Sequence, residues 1–227
     1  MMLQDEKYCL ICFSPIYEGT SFFAYFQKPD QICGFCRQKL RRCKERLQWQ
    51  GYPFFAVYYY DAFMESLLFQ LKEGRDIALA PIFLSCYKKE LEKRYRDFTM
   101  VFMPSNESKT KERGFFALEE LFSDISLPKV TPFIKTHNVK QSLQPMQQRG
   151  KIANVISLDK KKLAMSKLLL VDDVCTSGNT LSAALHQLKD HPFSIEILVI
   201  SVHPFFLSQY TSRKEIMKWE KHKRKTT

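Results

Sequence analysis

Glycine is scarce in this 227-residue chain: there are seven, where average usage would give roughly sixteen. Each one therefore marks a place where the backbone needs freedom, and Gly34, Gly51, Gly74 and Gly178 all fall at segment ends or tight turns. Long apolar runs are missing as well. No stretch approaches the ~18 residues of a membrane span. The start, Met1-Met2-Leu3-Gln4-Asp5-Glu6-Lys7, lacks the apolar core of a signal peptide. The expectation is a cytoplasmic protein, neither exported nor membrane-spanning. Internal repeats and low-complexity linkers are also absent from the sequence.

Acidic side chains are the minority: 24 Asp plus Glu face 35 Lys plus Arg, for a net charge of +11. The excess is concentrated at the ends, because residues 1–50 carry 8 basic and 5 acidic side chains and residues 205–227 carry 7 and 2. Basic flanks suit a polyanion partner such as single-stranded DNA, and they equally suit simple solubility. The terminal run Arg213-Lys214, Lys218, Lys221, Lys223-Arg224-Lys225 has the same two readings.

The pattern of elements indicates an α/β domain with a parallel sheet flanked by helices. Phe54–Tyr60 is aromatic and β-branched, which predicts a strand. Asp61 is placed to cap a helix in which Phe63, Leu67, Leu68 and Leu71 recur at helical spacing before Gly74. A helical stretch over about 76–96 follows, then a strand over 98–103 stopped by Pro104, and helices over 114–123 and 139–149. Leu168-Leu169-Leu170-Val171 is continuously apolar, as expected of a strand buried on both faces. A helix over about 178–189 and a strand over 195–202 complete the alternation.

Five of the seven cysteines precede residue 50, and four of them form Cys9-x-x-Cys12 and Cys33-x-x-Cys36. Two such pairs let four thiolates converge on one tetrahedral ion, a zinc-knuckle signature. Structural disulfides do not suit a chain without an export signal, and a redox motif needs one pair rather than two. A closed four-thiolate shell leaves no open position, so this zinc would be structural. These features divide the chain into a zinc-knuckle module at 1–50 and an α/β domain with a basic tail at 51–227. Immediately after the second pair, residues 37–46 hold six basic side chains, among them Arg41 and Arg42. They could track a phosphate backbone or line a solvated helix face.

The most informative segment is Leu168–Thr180. Asp172 and Asp173 close the apolar run, and Thr176, Ser177, Gly178, Asn179 and Thr180 open a helix. Unpaired N–H groups and the macrodipole at that helix start favour a phosphate. The hydroxyls add donors, Gly178 permits close backbone approach, and the carboxylates can accept from vicinal ribose hydroxyls. The site lies outside the carboxyl end of a strand, where open α/β sheets hold ligands.

This segment resembles the phosphoribosyl-pyrophosphate (PRPP) loop of type I phosphoribosyltransferases. The cysteine pairs, Tyr60-Asp61, Leu71-Lys72 with Gly74, Met103-Pro104, Lys111–Phe115, Lys140-Gln141-x-Leu143 and Gln148-Arg149 resemble the ComF/GntX group within that superfamily. The resemblance covers all but about the last twenty residues. It implies that Asp172 and Asp173 bind ribose hydroxyls, 176–180 the 5′-phosphate, and that Pro104 and Ser105 lie near the pyrophosphate, with Mg²⁺ accompanying PRPP. It makes Arg113 a phosphate or nucleic-acid contact in a mobile segment. It also implies a role in natural transformation, with single-stranded DNA and a ComFA-like helicase as partners at the inner face of the membrane. The enzymatic alternative is an Mg²⁺-dependent phosphoribosyltransferase of nucleotide salvage. Arg113-Gly114-Phe115-Phe116-Ala117 departs from the group's usual Arg-Gly-Phe-Asn-Gln, and Met103-Pro104-Ser105-Asn106 from its Val-Pro-Val-Pro.

Overall fold

The computed structural model describes residues 7–16, 31–43, 46–136, 155–159, 163 and 166–210. At its centre is a six-stranded sheet ordered β1-β2-β8-β7-β3-β4. The strands are β1 (Arg46–Trp49), β2 (Tyr52–Tyr59), β3 (Thr99–Phe102), β4 (Lys129–Val130), β7 (Lys167–Cys175) and β8 (Ser194–Val202). Every neighbouring pair is parallel except β1 with β2. A separate antiparallel pair joins β5 (Phe133–Thr136) to β6 (Val155–Leu158).

The apolar run of β7 behaves as its composition requires, with Leu168, Leu169, Leu170 and Val171 all fully buried. β8 lies beside it with Ile197–Val202 buried, so the two strands form the middle of the core. Helix α2 (Ala62–Lys72) starts where Asp61 predicts, because the Asp61 carboxylate accepts from Met64 N at 3.0 Å. Its Met64, Leu67, Leu68 and Leu71 are buried.

The structure corrects several expectations. The stretch 76–96 is not one helix: a 3₁₀ turn (Ile77–Leu79) precedes α3 (Pro81–Leu84), and a second (Ser85–Tyr87) separates α3 from α4 (Lys88–Arg94). Pro81 sits at the first turn of α3, where its missing N–H is harmless, and it cannot continue a helix arriving from 76. Over 114–123 the helix is only α6 (Ala117–Leu121), preceded by α5 (Glu107–Arg113), which ends on Gly114 at φ +88°. The helix expected over 139–149 lies outside the described residues. The run following α1 (Gly34–Lys39) is also not helical: Arg42 bridges to Tyr58, and Cys43 N donates to Val57 O at 2.8 Å. Residues 41–43 therefore extend the edge begun by β1, and Arg41 and Arg42 lie along a sheet edge.

β1 itself was not foreseen. It joins β2 through Gln50 and Gly51, both with positive φ (52° and 83°), the two-residue turn whose twist suits a hairpin. The hairpin spans residue 50, so Arg46–Trp49, grouped by sequence with the cysteine segment, pair with the sheet. After β8, α7 (Asn179–Leu188) has already been passed in the chain, and the last described helix, α8 (Pro204–Ser208), stacks Phe206 on Trp49 and Phe54 at centroid distances of 5.5 and 5.4 Å.

Candidate ribose-phosphate cleft and four-thiol centre

The cleft lies where two adjacent parallel strands end. β3 gives way to Met103, Pro104 and Ser105, and Asn106 then starts α5, its Oδ1 accepting from Ser108 N at 3.0 Å. β7 gives way to Thr176, Ser177 and Gly178, which start α7. Between them is a cavity of about 340 Å³ lined by Asp172, Asp173, Thr180, Pro104, Ser105 and Asn106 on one side. Lys72, Glu73, Lys109 and Arg113 add charged groups to the lining. Thus the acid pair and Thr180 meet the Pro104–Ser105 turn in one cavity. Thr176 and Ser177 are exposed in the turn beside it, as is Asn179, whose N–H donates to Ser177 Oγ at 3.5 Å.

Two details of the loop differ from the sequence expectation. The acids do not end the strand: β7 continues to Cys175 because Val174 and Cys175 still pair with Ser201 and Val202 of β8. Gly178 is buried, with φ +75°, and a Cβ there would stand 2.7 Å from Trp49 Cζ2 and 2.9 Å from Phe206 Cε2. The close approach that requires glycine is thus made by the aromatic core beneath the loop. Cys175 sits under the turn with its thiol pushed up, first by burial and then by the Asp172 charge. A thiol kept protonated in this way packs as an apolar side chain and is no nucleophile.

The cations of the cleft were only partly foreseen. Lys72 forms an ion pair with the Asp173 carboxylate. Arg113 is placed in the last turn of α5. Its Nε donates to the Lys72 carbonyl at 2.7 Å and its Nη2 to Glu73 Oε1 at 3.2 Å, with the side chain 6% exposed. Lys109 lies 3.9 Å from the same Glu73 carboxylate. Leu71-Lys72 stood out in the sequence, but nothing local indicates what Lys72 would meet, since Asp173 is brought to it only by the sheet. Phe116, where an amide is usual, lines the cleft and stands edge-on to Phe102 at 5.9 Å. Asp173 also contributes to raising the Tyr60 phenol, after burial and Glu65.

The second centre is sulfur. The Sγ atoms of Cys9, Cys12, Cys33 and Cys36 all lie within 4.8 Å of one another, and Cys12 and Cys33 are 3.6 Å apart. A tetrahedral ion with ~2.3 Å bonds to sulfur needs separations of about 3.8 Å, so the four thiols can hold a metal such as zinc. The first pair is shaped by Phe13 N donating to Cys9 O at 2.9 Å, and the second by α1, whose Arg37 N donates to Cys33 O at 2.9 Å. Cys9 and Cys36 are buried and Cys12 is exposed. Burial and the neighbouring thiols push Cys36 up, whereas the hydrogen bonds with Ser14 bring Cys12 down to about 6. Cys43 is buried outside this cluster. Arg37 Nη1 donates to Ile82 O at 3.3 Å and ties the module to α3.

Sequence comparison agrees with this geometry. The phosphoribosyl transferase domain model matches residues 111–225, which include the acid pair, the loop and α7. The chain belongs to the phosphoribosyl transferase domain family, as a ComFC-like member. Competence protein ComFC of Bacillus subtilis (strain 168) is 25% identical over 206 residues, covering 78% of this chain and 86% of that protein. Among solved structures, an adenine phosphoribosyltransferase is 17% identical, with a TM-score of 0.40 over 60% of this chain and 76% of the other. The adenine phosphoribosyltransferase of Saccharomyces cerevisiae is 16% identical, with a TM-score of 0.38 over 59% and 73%. Among the described residues of this phosphoribosyltransferase-type chain, no helix is long and apolar enough to cross a membrane.

Proposed function

We propose that the protein acts in natural transformation, binding incoming single-stranded DNA on the cytosolic side of the membrane while its cleft holds PRPP or a related ribose phosphate. Zinc at Cys9, Cys12, Cys33 and Cys36 is structural, and a ComFA-like helicase is the protein partner. The competence role rests on the likeness to ComFC. The observation that carries DNA binding is a row of cations laid over rings between residues 39 and 46. Lys39 lies 4.4 Å from the Phe35 centroid, Arg41 5.5 Å from Tyr59, Arg42 5.6 Å from Tyr87 and Arg46 5.6 Å from Phe55. Arg41 and Arg46 lie over rings on one face of the sheet edge and Arg42 over a ring on the other, so this edge offers cations that can neutralise phosphates beside rings that can receive bases. The test is salt-dependent binding of an oligonucleotide to zinc-loaded protein, with and without PRPP and Mg²⁺. Tight, salt-sensitive binding that PRPP alters supports the reading, and absence of binding removes it.

The cleft itself favours a second reading, Mg²⁺-dependent phosphoribosyl transfer in nucleotide salvage. Its residues fit the substrate as follows: the backbone and hydroxyls of 176–180 receive the 5′-phosphate, Asp172 and Asp173 the ribose hydroxyls, and Pro104–Asn106 with Lys109 the pyrophosphate. Mg²⁺ arriving with PRPP supplies charge neutralisation on the leaving pyrophosphate. Pyrophosphate release with a nucleobase, abolished by joint Asp172→Asn and Asp173→Asn substitution, is the result that selects this reading.

A further inference from the structure

Each carboxylate of the acid pair already has one oxygen engaged within the chain. The Asp172 carboxylate turns back on the chain and accepts from Asp173 N at 2.9 Å. The Asp173 carboxylate, whose side chain is 17% exposed, is held by the Lys72 ammonium. That ammonium is itself well placed. α2 is fixed at its start by the Asp61 cap, and at its end the Lys72 carbonyl accepts from the buried Arg113 guanidinium. A divalent ion at Asp173 would have to share the carboxylate with the Lys72 ammonium, which repels it, and Mg²⁺ gives up its own water reluctantly. Counting the cleft lining, Lys72, Lys109 and Arg113 balance Glu73, Asp172 and Asp173.

Building on the ribose-phosphate reading of the cleft, we infer that Lys72 is the resident cation of the acid pair. It orients Asp173 toward the ribose hydroxyls and makes binding of the ribose 5-phosphate half of the ligand independent of divalent metal. Lys72 is thus a positioning residue acting through Asp173. A lysine suits this place because its ammonium is a compact point charge on a flexible stem. Without Lys72 the Asp173 carboxylate loses its counter-ion in a partly desolvated cleft, and a divalent ion becomes the replacement counter-charge.

The experiment is calorimetric titration with ribose 5-phosphate, in EDTA and in Mg²⁺, of the full chain and of Lys72→Met and Lys72→Arg. The wild type is expected to bind with affinities within about twofold in the two media. Lys72→Met should lose about tenfold in EDTA, the effect of removing one charge-assisted interaction, and regain it in Mg²⁺. Lys72→Arg should keep the indifference to metal. Wild-type binding that requires Mg²⁺ overturns the role of Lys72 and leaves the ribose-phosphate reading intact. A folded Lys72→Met that remains as indifferent to metal as the wild type also overturns that role alone. If the wild type binds in neither medium, the ribose-phosphate reading falls and this inference falls with it. Should Lys72→Met fail to fold, the wild-type metal dependence and the Lys72→Arg result still decide.

Discussion

Trp49 occupies the space that a side chain on Gly178 would need, its Cζ2 lying 2.7 Å from the position of a Cβ there. The edge hairpin and the start of α7 are therefore packed as one unit, with Phe206 on the other side at 2.9 Å. The turn that presents Thr176 and Ser177 rests on a floor of rings.

Gly178→Ala should consequently be more damaging than an ordinary glycine substitution. It sets an alanine at φ +75°, which disfavours any L side chain, and it drives a methyl group into two buried rings. The expected loss is about 2–4 kcal/mol in urea unfolding. The strain falls on the loop, so ribose 5-phosphate binding should weaken in the protein that remains folded. Trp49→Phe should relieve part of the loss, and an additive double mutant would show that the two sites are not coupled.

Arg113 gives the second prediction. Its guanidinium satisfies the last carbonyl of α2 and pairs with Glu73 while almost fully buried. Arg113→Ala leaves the Lys72 carbonyl without its donor and should cost about 2–3 kcal/mol, read from chemical denaturation. Arg113→Lys should recover less than half, because an ammonium cannot reproduce the two-directional fork. If the alanine variant lost ligand binding with no loss of stability, Arg113 would be a ligand contact first and a structural residue second.

The metal centre is tested by counting zinc. Protein prepared in zinc and dialysed is expected to retain one ion per chain, and Cys33→Ser to retain none. Cys43→Ser should retain it, since Cys43 is buried outside the cluster. Binding converts thiols to thiolates and so releases protons. Protons compete with zinc for the same sulfurs, so zinc affinity should fall as the pH is lowered from neutral. Metal retention by Cys33→Ser would remove Cys33 from the ligand set.

How much of this was legible in the sequence depended on whether the cause was local. Leu168–Val171 could be read as a buried strand because nothing but an interior accommodates four consecutive apolar residues of this kind. Asp61 could be read as a cap because a short carboxylate before an apolar-periodic stretch has one obvious use. The two cysteine pairs indicated a shared centre because their spacing is the geometry of a metal knuckle. β1 was hidden because Arg46-Leu47-Gln48-Trp49 continues a basic run, although Gln50-Gly51 ahead of an aromatic strand was the available hairpin signal. The break within 76–96 was marked by Pro81, outweighed by the helical spacing around it. The pairing of Lys72 with Asp173 had no local sign at all, since α2 and β7 meet only through the order of the sheet. The same holds for Gly178, whose need for glycine lies in Trp49 and Phe206.

Alkaline pH supplies the last prediction. Burial pushes the phenols of Tyr58, Tyr87 and Tyr95 above their ordinary value of 10, and the Cys175 thiol above 9. In the window above those ordinary values the folded chain keeps protons that the unfolded chain has lost. The unfolded state then binds fewer protons, so stability falls as pH rises, and the contribution is fully present below 9. Lys129 works in the opposite sense. Burial lowers it from 10.5, so in the window just below that value the unfolded state binds more protons and stability rises with pH. The Tyr60 phenol is raised as well, so outside the four-thiol centre five groups against Lys129 give a net decline. Urea unfolding at about pH 8 and about pH 10 should show a lower midpoint at the higher pH. Tyr95→Phe should make the decline shallower by removing one contributor, and an unchanged slope in that variant would take Tyr95 out of the account.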